Sequence, residues 1–221
     1  MRVLVFDTET TGLPQPNKKG DRPGIYETTC WPYIIQLSYI LYDTEKHKII
    51  IDHDHIVRIP EHCDLTDKSV EMHGITRDRS KRDGISIADA LELFHICLIS
   101  ADMIIAHNLS FDRQMILVEC IRNKRAGPFK FKLPNQYFCT MKSTTDLCQI
   151  EATCKKTGEK YFKFPRLSEL HEQIFGDEPK NTHNSFVDIL ICLRCYVMLT
   201  EGVDIRIKCV KFKRLYKNIS Q

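Results

Sequence analysis

The chain opens on an unbroken apolar run, Val3-Leu-Val-Phe6, which predicts a short buried strand over residues 2–6. A polar stretch follows over residues 14–32, carrying Pro, Gly and Lys with no apolar period, and reads as a long loop. Residues 33–41 and 49–59 are β-rich and are separated by Asp43-Thr-Glu-Lys-His-Lys48, which predicts an antiparallel hairpin. Ser86-Ile-Ala-Asp89 has capping-box spacing and opens a helix that runs to residue 99. Residues 101–106 form another apolar strand. Phe111, Met115, Val118 and Ile121 then recur at helical spacing. A short strand over 137–140 and helices over 167–175 and 186–199 complete the pattern. A strand meander followed by alternating strands and helices predicts one α/β domain on a mixed sheet.

Composition narrows the class. The 221 residues are 43% hydrophobic and 28% charged, which fits a globular domain and excludes a disordered or collagen-like chain. No apolar run approaches the roughly 20 residues that span a bilayer, so no membrane partner is expected. The start lacks the pattern of a secretory signal, so the ten cysteines are expected to be reduced thiols in an intracellular compartment, cytoplasm or nucleus. Cys192 and Cys195 have the spacing of a redox or zinc pair. They lie in an apolar helical run with no second ligand pair, which predicts core thiols. The net charge is only +3, but its distribution is uneven. Residues 202–221 hold Arg206, Lys208, Lys211, Lys213, Arg214 and Lys217 against Asp204, so this tail carries +5 and residues 1–201 carry −2.

The candidate chemistry lies in carboxylates. Asp7 and Glu9 are two apart on a strand and share a face. Paired acids repel unless neutralised, and hard oxygen ligands suit Mg²⁺ or Mn²⁺. Alone, the pair fits a solvent-facing strand end equally well. Asp112 follows the strand ending at His107-Asn108 and falls in the first turns of the next helix, where sites form in open α/β sheets. It also fits a simple complement to the helix N-terminus. His183 and Asp188 are five residues apart, about 140° around a helix, so they share a site only if His183 precedes the helix. Ser185-Phe-Val-Asp188 reads as a capping box, which puts the helix start between them and also offers Asp188 a purely capping role.

Taken together, Phe6-Asp-Thr-Glu-Thr-Thr-Gly12, Ala106-His-Asn-Leu-Ser-Phe-Asp112 and His183-Asn-Ser-Phe-Val-Asp188 resemble the DEDDh family of 3′→5′ exonucleases. Within it they look most like the proofreading epsilon subunit of the bacterial replicative polymerase. Met72-His-Gly-Ile-Thr76 and Cys139-Thr-Met-Lys-Ser-Thr144 are similar to intermediate segments of that family, and the resemblance covers residues 3–199. Asn184 and Ser185 depart from the usual small or acidic residues, and the 14–32 loop is longer than in the bacterial subunit. The resemblance implies a ribonuclease H-like fold: a mixed sheet of the five predicted strands flanked by helices, with residues 1–201 as the exonuclease domain. It also implies that Asp7, Glu9, Asp112 and Asp188 hold two Mg²⁺ or Mn²⁺ ions roughly 3.5–4 Å apart, with His183 as general base.

The implied substrate is a single-stranded or frayed 3′ end of DNA, cut to nucleoside 5′-monophosphates, with a DNA polymerase as a possible partner. Thr10, Thr11, His73 and Asn108 are candidates by position for touching the substrate end, and each fits a plain structural role equally well. An acidic site cannot draw in a polyanion, so basic loops must track its backbone. Lys18, Lys19 and Arg22 in the first loop and Lys155, Lys156, Lys160 and Lys163 in a second are the candidates. An RNA-trimming enzyme of the same fold is the nearest alternative. A catalytically silent nucleic-acid-binding adaptor is a third, disfavoured by the complete acid set with His183. The alternation of Val203, Ile205, Ile207 and Cys209 with polar residues predicts a basic-faced edge strand in the tail, for protection or for binding.

Overall fold

The computed structural model describes residues 1–124 and 136–219. Its centre is a five-stranded sheet of order β3-β2-β1-β4-β5. Strand β1 (Arg2–Thr10) is central, as its apolar start requires: Val3, Leu4, Val5 and Phe6 are all at most 1% exposed. It runs antiparallel to β2 (Ile34–Asp43), which pairs antiparallel with β3 (Lys48–Ile56), giving the expected hairpin. On its other side β1 is parallel to β4 (Met103–Ala106), and β4 is parallel to β5 (Tyr137–Cys139). The mixed sheet with flanking helices is the ribonuclease H-like arrangement.

Strand alternation divides the core. Leu4 and Phe6 point to a cluster with the apolar stripe Ala90, Leu91, Phe94, Cys97 and Leu98 of α3 (Ile87–Ser100). Met115, Ile116 and Val118 of α4 (Leu109–Arg122) pack into the same cluster. Short helices α1 (Asp67–His73) and α2 (Arg77–Asp83) precede α3. His73-Gly74 is a helix stop, with Gly74 at φ +69°, where a Cβ would be strained. Val3 and Val5 face the second cluster, against α8 (Ser185–Glu201). The 14–32 loop carries only a 3₁₀ turn, Thr28–Cys30, and is fastened at its end. Arg122 donates to the carbonyls of Thr28 and Pro32, and Glu119 holds Arg122.

Helices α5 (Thr140–Ser143) and α6 (Thr145–Cys148) lead into a separate two-stranded ribbon, β6 (Glu151–Thr153) with β7 (Lys160–Phe162). Helix α7 (Leu167–Phe175) has the bounds its periodicity predicts. Cys192 and Cys195 are 2% and 0% exposed, core positions as the apolar run around them implied, and the described cysteines are free. No helix among the described residues is long and apolar enough to cross a membrane.

The tail corrects its expectation. Instead of an edge strand it forms α9 (Ile205–Lys208) and α10 (Val210–Ile219); residues 220 and 221 lie outside the described residues. The alternation was incidental, because Ile207 is 78% exposed while Ile205, Cys209, Phe212 and Tyr216, spaced for one helical face, join the α8 core. The anchor is Arg194 of α8, 2% exposed, which donates to Asp204 (2.9 Å), His171 (2.6 Å) and Tyr216 (3.1 Å). Its guanidinium lies 3.6 Å from the centroid of the Phe175 ring. Burial works against a charged Asp204, but bonds from Arg194 and Arg206 outweigh it and hold the carboxyl down to about 2.

Asp204→Ala leaves Arg194 buried without its anion and should cost about 3 kcal/mol in urea unfolding. Because the native pKa is depressed, the carboxyl's share of stability is present above about pH 4 and is lost as pH falls toward 2. The Ala variant should therefore show a shallower loss of stability across that window.

Candidate active site

The sheet ends create the site. Strand β4 pairs with β1 only along Val3–Val5 and stops at Ala106, while β1 continues to Thr10, beyond the end expected from its apolar run. The exposed β1 edge beyond Val5 is therefore free to bind something other than a strand. Helix α4 takes that place: Asp112 Oδ1 accepts from the Thr8 backbone N–H (3.1 Å) and the Thr8 hydroxyl (2.8 Å). Thr8 points away from Asp7 and Glu9 by strand alternation, so one strand segment positions three acids. Asp112 is 2% exposed.

The fourth acid arrives from α8. Carboxylate oxygens of Asp7, Glu9 and Asp188 all lie within 4.8 Å of one another, which makes them a candidate metal-binding group. Asp188 Oδ1 is buried with no hydrogen-bond partner. An orphaned buried carboxylate oxygen among other hard oxygen donors is what a divalent cation would satisfy. Asp112 lies outside that group, held against β1 by Thr8, and its charge acts on Asp7 and Glu9. Helix α8 does not start as expected. Its cap is Asn184, whose side chain accepts from the Phe186 and Val187 N–H groups, so Ser185 is the first helical residue. That shift relieves Asp188 of a capping-box role. Instead its Oδ2 accepts from the backbone N–H of His183 (3.2 Å), which sits exposed in the loop at φ +70°. The backbone of His183 is thus fixed to the acid where the loop enters the helix.

Like charges in a half-buried recess drive the protonated forms. Burial, then Asp112, Asp188 and Glu9, pushes the Asp7 carboxyl well above the usual carboxylate range. Burial followed by Asp188 and Asp112 lifts Glu9 to about 8. Asp112 is lifted by burial to about 7 against the Thr8 bonds, and burial lifts Asp188 to about 7 against the bond from His183.

The sequence reading missed a supporting network on β2. Ser38 and Gln36 stand opposite Asp7 and Glu9 in the register, and both donate to Asp54 Oδ1 at 2.7 Å. Ser38 has one proton and gives it to Asp54, so in its 2.5 Å contact with Ser185 the Ser185 hydroxyl is the donor. Gln36 Oε1 accepts from the Ser185 N–H at 3.4 Å. The start of α8, and with it Asp188 and His183, is therefore fixed to the strand that neighbours the acids. Two polar residues at alternate positions of the otherwise apolar β2 were the available signal.

The candidate substrate contacts divide. The Thr10 hydroxyl donates to Gly12 O (2.8 Å), and the Thr11 hydroxyl accepts from Tyr33 N (3.1 Å), so both close the turn after β1. His73 is buried, its Nδ1 accepts from Ile75 N, and its Nε2 is buried with no hydrogen-bond partner. Asn108 is exposed at the start of α4. Lys18, Lys19 and Arg22 are exposed, with Arg22 donating to Gln114 on α4. Lys160 pairs with Glu151 and Lys163 with Glu169, while Lys155 and Lys156 are exposed.

An exonuclease family model (RNase_T) matches residues 4–196, which includes every one of these site residues. No curated protein matches the chain. Among solved structures, Escherichia coli exonuclease I in complex with a dT13 oligonucleotide superposes with a TM-score of 0.65 at 16% identity, covering 91% of this chain. The chain spans only 42% of that enzyme. A 3′-exonuclease that recognises the histone mRNA stem-loop superposes at 0.61 and 14% identity, covering 92% of this chain and 83% of its own. The zinc-bound form of E. coli exonuclease I with single-stranded DNA gives 0.64 at 16% identity, over 98% of this chain and 42% of its own. At these identities the likeness establishes the fold.

Carboxyls with raised native pKa values favour the folded state below about pH 4 and withdraw that share as pH rises through about 7 to 8. Asp188→Asn should therefore stabilise the metal-free protein at pH 8, on the order of 1–2 kcal/mol, and change little at pH 4. Calorimetry at both values checks this; an equal gain at both would refute charge repulsion as the cause. Mn²⁺ at pH 8 should raise the melting temperature of the parent protein more than that of the variant.

Proposed function

The chain belongs to the exonuclease family whose model it matches, and on that premise we propose that it is a metal-dependent 3′→5′ exonuclease acting on single-stranded or frayed DNA ends. The observation that carries the reading is the gathering of Asp7, Glu9 and Asp188 within 4.8 Å, with Asp112 tied to the same strand and the backbone N–H of His183 bonded to Asp188. In this reading those four acids are the ligands of two Mg²⁺ or Mn²⁺ ions. Bound cations would offset the acids' repulsion, acidify a water and stabilise the charge on the leaving 3′ oxygen.

The chain's own residues supply the remaining steps. His183 accepts the water's proton; its exposed loop position leaves the ring free to swing toward the acids. Attack on the terminal phosphodiester releases a nucleoside 5′-monophosphate and leaves a shortened strand with a free 3′ hydroxyl. Asp112, held by Thr8, and Asp188, held through Ser185, keep their geometry without adapting to substrate. His73 and Thr10 brace the turn that faces the substrate end, and Asn108 contacts the terminal nucleotide from the start of α4. Lys18 and Lys19 attract the backbone from the first loop.

A proofreading role beside a DNA polymerase, as in the epsilon subunit, extends the resemblance of the residue pattern, with a standalone enzyme as its alternative, and the compartment we propose is a reducing one, cytoplasm or nucleus. RNA trimming is the second reading, favoured by the structural likeness to the histone mRNA 3′-exonuclease.

Purified protein supplied with Mg²⁺ or Mn²⁺ should release mononucleotides from the 3′ end of single-stranded and mismatched DNA faster than from matched RNA. Chelation should abolish release. His183→Ala should lower kcat by about a hundredfold or more, and Asp7→Ala should remove activity. Release that persists in Asp7→Ala would sink the site assignment. Equal rates on RNA would sink the DNA preference.

A further inference from the structure

Three of the four exposed aromatic side chains among the described residues fall within residues 161–164: Tyr161 (52% exposed), Phe162 (46%) and Phe164 (54%). They lie on and just after β7, in a ribbon whose strands pair only with each other. A two-stranded ribbon has no core to bury rings, and solvent-exposed phenylalanines on it are unfavourable unless something covers them. Alternation puts Phe162 on the side opposite Tyr161, and the Lys163 N–H continues the ladder to Ile150 O (2.9 Å), which carries the extended chain on to Phe164.

Lysines are interleaved with the rings. Residues 151–166 hold Lys155, Lys156, Lys160, Lys163 and Arg166 against Glu151 and Glu159, a net +3. Lys155 and Lys156 stand at the exposed tip with no ion pair among the described residues. Lys163 is structural instead. Its ammonium binds both oxygens of Glu169 at 2.7 and 2.8 Å and fastens the outgoing leg to α7.

That leg is also tied to the active site. Pro165 follows Phe164 directly, and its carbonyl accepts from His107 Nε2 at 3.1 Å. His107 Nδ1 meets Thr140 Oγ1 at 2.9 Å. Burial drives this ring's pKa down to about 4, so the neutral tautomer with Nε2–H facing Pro165 is the one held. His107 immediately precedes Asn108 and the helix that carries Asp112. The ribbon therefore rises beside the strand end where the acids gather, and its rings have a fixed base.

We propose that the β6–β7 ribbon is a stacking platform for single-stranded nucleic acid, binding the strand upstream of the 3′ end through Tyr161, Phe162 and Phe164, with Lys155 and Lys156 on its phosphates. It deepens the exonuclease reading and rests on it for the direction of the strand. Exposed π-faces next to unpaired ammonium groups match an unpaired strand, whose bases offer both a face and a charge. A duplex hides its base faces, and an acidic peptide would use the lysines but has no equivalent need for three flat rings.

The test separates binding from chemistry. A labelled oligodeoxythymidine of about twelve nucleotides is titrated by anisotropy in EDTA, with the parent protein, the combined Tyr161→Ala, Phe162→Ala and Phe164→Ala variant, and the Lys155→Ala, Lys156→Ala variant. The ring variant should lose about tenfold or more in affinity, and with metal its KM on this strand should rise while kcat, and the rate on a dinucleotide, stay the same. The lysine variant should bind more weakly with a shallower salt dependence. The rings are exposed, so melting temperature should not move. Unchanged affinity of the ring variant, or an equal loss on the dinucleotide, would overturn the platform. An inactive parent protein would instead overturn the exonuclease reading, and the anisotropy arm would still decide whether the ribbon binds a single strand.

Discussion

Mutual repulsion among four carboxylates is the constraint around which this molecule is built. Asp7, Glu9 and Asp188 hold oxygens within 4.8 Å of one another, and Asp112 adds a further charge from the side. Left to itself, such a cluster would spread, since each acid gains by moving toward water. None can do so, because each sits on an element whose other face is fully packed. Asp7 and Glu9 extend a strand whose first half is buried on both sides. Asp112 begins a helix bolted to that strand through Thr8, and Asp188 begins one bolted to β2 through Ser185. The packed core thus supplies the free energy that holds the acids together, and a cation at the orphaned Asp188 oxygen would recover part of it.

How the acids are braced explains why some of the site was legible and some was not. Asp7 and Glu9 stand out because polar residues interrupt an apolar strand with a shared-face spacing. The hairpin, α3 and α7 likewise follow from periodicity, since each has one buried face and one wet face. The bolts do not stand out. Thr8 looks like an ordinary strand residue until β4 is seen to stop short and leave its N–H unclaimed. Ser185 has good N-cap chemistry, and only the competing Asn184 side chain, which reaches two backbone N–H groups, shifts the helix start by one residue. Asp54 lies two strands away from the acids and acts through Ser38 and Gln36; nothing in linear spacing connects it to Ser185.

The tail shows the same limit from another side. Val203 to Cys209 alternates well enough to resemble a strand, because a span this short contains too few turns to separate a period of two from one of 3.6. What decides is the partner. Helix α8 is apolar nearly all round, so once one side meets the sheet, the rest needs a cover. A helix presenting Phe212 and Tyr216 provides it, and the buried Arg194 fixes its position by requiring Asp204 nearby. The sequence shows the apolar excess of α8 plainly, but not which segment will relieve it.

Charge can then be read by location. The +5 of the tail is partly committed to structure: Arg206 joins Arg194 on Asp204, and Lys211 pairs with Asp52 on β3. Those pairs commit two of its cations to acids of the fold rather than to an incoming strand. The lysines of the ribbon are better placed, because their scaffold is joined through Pro165 and His107 to the segment that starts α4. A chain of nearly neutral net charge can therefore handle a polyanion without an overall attraction. It needs cations and rings on a short, fixed arm beside the acids, and metal within them, so that the strand is held at one end by stacking and drawn at the other by the ions.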